Sequence, residues 1–241
     1  MRCFTGTSGF SYNEWKGHFY PADIKATDML SFYARHLSAV EINNTFYRMP
    51  KRDVLAGWRD ATPTSFRFVI KASRRITHFK RLKDADEPMS FLKKNVATLG
   101  DRLGAILFQL PPNLRCSTDR LDAFLELVPE DLPVAFEFRH PSWQDDAVHD
   151  RLRSRNVAVC HADSGKGEEP LVSTADWGYL RLRQPGYTEE ELNKWLGRII
   201  DAGWHEAHVF FKHEDDGAGP ALAARFAALA ESREVAIASG E

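Results

Sequence analysis

A closed eight-stranded (β/α)8 barrel is the fold predicted by three observations: eight short apolar runs, amphipathic stretches between them, and a length of 241 residues. Parallel strands joined by crossover helices give that alternation, and such barrels are typically about 250 residues long. The first strand is RCFTGT at 2–7, followed by a helical pattern at 28–36. AVEI at 39–42 is the second strand, with a helix at 52–60; RFVIK at 67–71 is the third, followed by the longest irregular connection and a helix at 87–99. AILFQL at 105–110 precedes a helix at 118–128, and VAFEF at 134–138 precedes one at 145–155. VAVCHA at 157–162 and YLRLR at 179–183 form strands six and seven, with a helix at 188–202. HVFFK at 208–212 completes the set, and a last helix spans 219–231. An open doubly wound sheet of the dinucleotide-binding kind would want GxGxxG after its first strand, and TGTSGFS is not that motif. Without a linker, repeat or low-complexity stretch, residues 1–241 read as one domain.

Composition narrows the functional classes. The chain is 43% hydrophobic and 27% charged, as globular proteins are, with 32 Lys plus Arg against 34 Asp plus Glu. A net charge of -2 excludes a surface that is basic throughout, so any anion site must be local. Cys3, Cys116 and Cys160 form no CxxC or other zinc spacing and no disulfide framework, which points to a reducing, cytoplasmic setting. Neither a secretory leader nor an apolar run of membrane-spanning length is expected.

Strand parity places the polar residues. Val40 and Ile42 share one face of the second strand, leaving Glu41 and Asn43 on the other. The same reasoning turns Lys71, Gln109, Glu137, Arg139, Arg181 and Arg183 towards the barrel interior, and assigns His161 and Asp163 there as well, opposite Cys160, which is expected to pack under a helix. In the eighth strand either Lys212 or His213 can point inward. So many charges around one mouth are costly unless they pair, and they mark a ligand cleft at the C-terminal face.

Five blocks carry a family resemblance: GTSGFSYNEWKGHFYP at 6–21, VEINNTFYRMP at 40–50, FRFVIKASRRITH at 66–78, LGAILFQLPP at 103–112 and AFEFRHPSW at 135–143. The chain resembles the YecE-like proteins, the domain of unknown function 72 family, over nearly its whole length. The resemblance implies a TIM barrel of the broad type of xylose isomerases and endonuclease IV, and no established activity. It departs at RLRQPG, where the family commonly has Arg-Leu-His-Gly, and at FFKHEDDG, where the family commonly has paired Asn. Matching positions carried into the pocket are Ser8, Trp15, Glu41, Asn43, Phe46, Tyr47, Lys71, His78, Gln109, Glu137, Arg139, His140, Trp143, Asp163 and Arg181.

These groups suggest several chemistries. The segment KASRRITHFKRLK at 71–83 holds six Lys or Arg and no acid, and reads as an anion-attracting loop or a solvated surface. Phe10, Tyr12, Trp15, Phe46, Tyr47, Phe79 and Trp143 flank the same mouth and suit either loop packing or stacking of a base or sugar. Glu41 and Glu137 are candidate acid and base if their proton affinities are split, or structural ion-pair partners of Lys71 or Arg139. Asp163 joins Glu41, Glu137 and Lys71 as a catalytic candidate. Lys71 could also act as an imine-forming amine. Glu137, His161, Asp163 and His213 could ligate a divalent ion, but the fixed charge of Arg139, Arg181, Arg183 and Lys71 opposes one, so neither metal nor cofactor is expected. The function expected is an enzyme acting on a phosphorylated or polyanionic substrate, a sugar phosphate or nucleotide, in the manner of a hydrolase or isomerase. The alternative is a nucleic-acid-binding protein or an endonuclease IV-like phosphodiesterase.

Overall fold

Strand β1 (Arg2–Ser8) pairs in parallel with β2 (Ala39–Ile42) on one side and β8 (Glu206–Phe211) on the other, which closes the sheet on itself. Between them β3 (Arg67–Lys71), β4 (Leu103–Gln109), β5 (Val134–Glu137), β6 (Ala158–Asp163) and β7 (Trp177–Leu182) follow in sequence order, all parallel, as in a TIM barrel. The computed structural model describes residues 1–163, 171–184, 186–212, 216–233 and 235–237. At the closure Gly6 lies opposite Ala39, and a Cβ there would come within 1.8 Å of the Ala39 carbonyl oxygen. Only glycine lets the strands meet so closely. A short β9 (Ala236–Ile237), not anticipated from the sequence, adds to Arg2 and Cys3 beside the barrel.

Seven helices surround the described barrel: α1 (Met29–Ala34), α2 (Arg52–Asp60), α3 (Asp86–Val96), α4 (Thr118–Leu125), α5 (Asp146–Arg153), α6 (Glu189–Asp201) and α7 (Ala218–Ser232). Several starts are set by side chains. Ser117 accepts from Arg120 N–H, Asp145 from Ala147 N–H, and Thr188 forms a reciprocal capping box with Glu191. Each satisfies backbone donors that the first turn leaves open. The long connection after β3 is not irregular throughout, because Arg75–Phe79 winds into one turn of π-helix. No helix among the described residues is long and apolar enough to cross a membrane.

Two cores follow from the pleat. Val40, Ile42, Phe68, Ile70, Ile106, Phe108, Phe136, Leu180 and Leu182 face the helices. Phe4, Ala39, Val69, Ala105, Leu107, Ala135, Ala158, Cys160, Tyr179 and Phe210 fill the barrel, small alanines alternating with large rings so that the narrow interior packs. The parity assigned to β6 is thereby corrected: Cys160 lies inside the barrel rather than under a helix, and His161 and Asp163 take the outer face. His161 Nε2 meets the Val172 carbonyl at 3.2 Å, and its ring stacks on Trp204. In β8 the inward positions are His208 and Phe210, a parity that gives Lys212 the next inward place; His213 lies outside the described residues.

Candidate functional site

The inward residue at the C-terminal end of each strand is where a barrel collects polar groups. Here β2 supplies Glu41, β5 Glu137 and β7 Arg181, all at most 2% exposed. Arg181 joins them. Its Nη2 donates to Glu41 Oε1 at 2.7 Å and its Nη1 to Glu137 Oε2 at 2.6 Å. Glu41 also accepts from Ser8 Oγ at 2.7 Å, Asn43 Nδ2 at 3.0 Å and Tyr179 OH at 2.6 Å. Glu137 accepts from Gln109 Nε2 at 2.8 Å, Arg139 Nε at 3.0 Å and Arg183 Nη2 at 3.2 Å.

Those donors decide the protonation states. Burial alone would push both carboxyl groups up, yet Arg181 and the hydroxyls of Tyr179 and Ser8 hold Glu41 below the ordinary glutamate range. At Glu137 the same burial is outweighed by Arg181, Arg183, Arg139 and the Gln109 amide, which bring it to about 2. The expectation of an acid and base with split proton affinities is therefore corrected: both groups are held as carboxylates, and a shared guanidinium removes the mutual repulsion that would raise one of them. The ion-pair reading holds, with Arg181 rather than Lys71 as the principal partner.

Above this floor the described donors are only partly used. Arg139 spends its Nε on Glu137 while its side chain is 37% exposed, and Arg183 reaches the same carboxylate through Nη2. Lys71 ends β3 with Nζ 4.4 Å from the centre of the Phe46 ring and, among the described residues, has no carboxylate within 4.0 Å. Burial, reinforced by Arg181, lowers its ammonium to about 8. His78 packs edge-on against the opposite partner of that cluster, Phe46, and is also lowered, by burial and then by Lys71 and Arg139. Asn43 Oδ1 is buried without a hydrogen-bond partner. Within this network of described residues, and with Lys71 protonated, Arg181, Arg139, Arg183 and Lys71 stand against the two carboxylates Glu41 and Glu137.

Other expected site residues lie elsewhere. Trp15 and Trp143 are fully buried on the helix side, Trp15 among Tyr12, Phe19 and Tyr20, and Trp143 stacked on Phe138 with its indole N–H donated to Leu114. They are packing residues and present no face to a ligand at the rim. Asp163 accepts from Tyr187 OH at 2.7 Å on the outer face of β6, away from the two glutamates. His140 uses Nδ1 to accept from Ser142 N–H and so caps a short turn. Glu137, His161 and Asp163 thus point in different directions, and the described residues hold no cluster of three metal-ligating side chains. Tyr47 and Phe79 remain at the surface, each 68% exposed, with the Arg74 guanidinium 5.2 Å from both rings. Tyr179 and Cys160 were missed as members of the interior. Tyr179 was legible in principle, since it sits two residues before Arg181 and shares its parity.

The family model described as "Protein of unknown function DUF72" matches residues 4–240. UPF0759 protein YecE of Escherichia coli (strain K12) is 33% identical over 141 residues, 56% of this chain and 52% of its own length. The chain thus matches about half the length of that relative. UPF0759 protein YunF of Bacillus subtilis is 28% identical over 218 residues, 83% of this chain and 76% of its own. The crystal structure of a DUF72 family protein from Thermotoga maritima superposes with a TM-score of 0.83 at 27% identity, covering 96% of this chain and 100% of that one.

Proposed function

The chain belongs to the DUF72 family, and from that premise we propose that its barrel mouth binds a phosphorylated or otherwise polyanionic substrate, a sugar phosphate or nucleotide, and acts on it as an enzyme. One observation carries the reading: Arg139, Arg183 and Lys71 stand above a network in which both carboxylates are already satisfied by Arg181. Arginine forks suit phosphate and carboxylate oxygens, and Arg139 has both terminal nitrogens left for them after its Nε contact. Arg181 is a structural strut in this reading, and the clamp is formed by Arg139 and Arg183, with Lys71 beside them.

A second reading, nucleic-acid binding, is favoured by the exposed Tyr47 and Phe79 rings with Arg74 between them, since stacked rings beside cations suit bases and phosphates. Metal-assisted phosphodiester cleavage would need ligands other than Glu137, His161 and Asp163, whose side chains diverge. A panel of phosphorylated metabolites and short oligonucleotides, titrated at low ionic strength and again with added salt, separates the readings. A small-anion clamp gives a shallow salt dependence, whereas several phosphate contacts along a strand give a steep one. Failure of every member of both sets to bind at low salt would overturn both.

A further inference from the structure

Among the cations that surround Glu41 and Glu137, Lys71 differs in chemistry from the arginines. Arginine does not give up its proton in proteins, so Arg139, Arg181 and Arg183 act as fixed charges. A lysine can become a free amine and add to a carbonyl group. Lys71 is placed for this. It takes the inward position at the end of β3, its Nζ rests over the Phe46 ring at 4.4 Å, and no carboxylate within 4.0 Å among the described residues pins it as an ammonium ion. The charged groups around it come from several elements: Glu41 of β2, Glu137 of β5 with Arg139 just beyond, Arg181 of β7, and His78 of the π-helical turn.

We infer that Lys71 forms an imine with the carbonyl carbon of an aldehyde or ketone whose anionic group is held by Arg139 and Arg183. This inference rests on the anion-binding reading above and narrows its substrate class to carbonyl-bearing anions. The amine lone pair forms the new C–N bond while the carbonyl π pair moves to oxygen. Both amine hydrogens then leave with that oxygen as water, giving the neutral imine. Hydrolysis reverses the sequence and regenerates the lysine.

Burial and Arg181 favour the neutral amine, and with a proton affinity of about 8 the group has a substantial free fraction near neutral pH. At pH 7 that is about 10% free amine, against well under ~0.1% for an ordinary lysine near 10.4. Arg74, Arg75, Arg81 and Lys83 of the basic loop, in contrast, are exposed to solvent, and Lys83 with the half-buried Lys80 serves as an internal reference.

The probe is pyridoxal 5′-phosphate, a phosphorylated aldehyde, with borohydride reduction to fix any imine as a secondary amine and peptide mapping to locate it. Its alcohol counterpart, pyridoxine 5′-phosphate, reports anion binding alone by calorimetry and competes for the site. The expected result at pH 7 is labelling of Lys71 at least about tenfold faster than of Lys80 or Lys83, as its lowered proton affinity and its place beside Arg139 and Arg183 require. Labelling is suppressed by the alcohol, rises towards pH 8, and disappears in Lys71→Arg, which still binds the alcohol. Binding of the alcohol together with label spread evenly over the three lysines, placed on Lys212 instead of Lys71, or fixed on none, would overturn the imine and leave the anion site standing. Labelling of Lys71 with neither binding nor protection by the alcohol would overturn the anion-holding part instead. Absence of both label and binding would remove both.

Discussion

At the lower end of the barrel the Phe4 ring stacks on His208 at 5.1 Å, Arg67 lies 5.2 Å from the same ring, and Trp177 meets His208 edge-on. Arg67 Nη1 donates to the carbonyls of Thr64 and Phe66, and Arg2 pairs with Glu206, which also holds His208 Nε2 at 2.9 Å. At the upper end Arg139, Arg183 and Lys71 surround two carboxylates that Arg181 has already bridged. The strands and their pleat are the same at both ends, but below, aromatic packing and internal acceptors use the cations, while above, among the described residues, Arg139 keeps its terminal nitrogens and Lys71 its ammonium group without a carboxylate of their own. The buried contacts are concentrated in one plug and in the Arg181 network, and the proposed anion site is assigned to the rim above that network.

The largest expected effect comes from breaking the bridge. Arg181→Met leaves Glu41 and Glu137 buried, close together and short of their main donor, and is expected to cost about 3–5 kcal/mol in chemical denaturation. A loss below about 1 kcal/mol would show that the network is not holding the upper end. Next is the plug. Phe4→Ala removes a ring that is 1% exposed and is expected to cost about 3 kcal/mol while leaving anion affinity unchanged, so a parallel loss of binding would break the separation of the two ends.

Acid titration sharpens the contrast further. Glu137 is lowered from an ordinary value of 4.5 to about 2 by its guanidinium neighbours, so the folded state binds fewer protons than the unfolded state between those values. Its contribution is complete above pH 4.5 and is lost as pH falls towards 2. Denaturation of the wild type and Glu137→Gln across that window is expected to give a steeper decline for the wild type; identical slopes would contradict the assignment. The smallest stability effect belongs to the rim. Arg139→Ala, at a 37% exposed side chain that shares its carboxylate with two other arginines, is expected to cost at most about 1 kcal/mol.

The barrel itself was legible because β2, β3, β4, β5 and β7 each carry apolar residues on one face and a polar residue at the inward end, as in VEI, VIK, LFQ, FEF and LRL. β6 was not, for a physical reason. Val157 and Val159 outside and Ala158 and Cys160 inside are all apolar, so the only polar signals were His161 and Asp163, and each finds its partner on the outer face, in Val172 O and Tyr187 OH. Glu41 and Glu137 were correctly brought to one mouth, but their protonation depended on which guanidinium lay between them, and side-chain reach does not appear in strand parity. Trp15 and Trp143 follow strands at the active-face end, where a rim aromatic and a loop anchor have the same sequence signature; burial alone distinguishes them.

The division between a structural floor and an open rim is tested most directly by titrating inorganic pyrophosphate at low salt into the wild type and the Arg139→Ala/Arg183→Ala double variant, with the melting temperature of each measured alongside. The expected result is binding to the wild type that weakens at least about tenfold in the double variant, the loss of charge-assisted contacts worth about 1.5–3 kcal/mol each, while the variant stays folded with only a small shift in melting temperature. Equal affinity for both proteins, or no binding to the wild type, would contradict the assignment of the rim as an anion site.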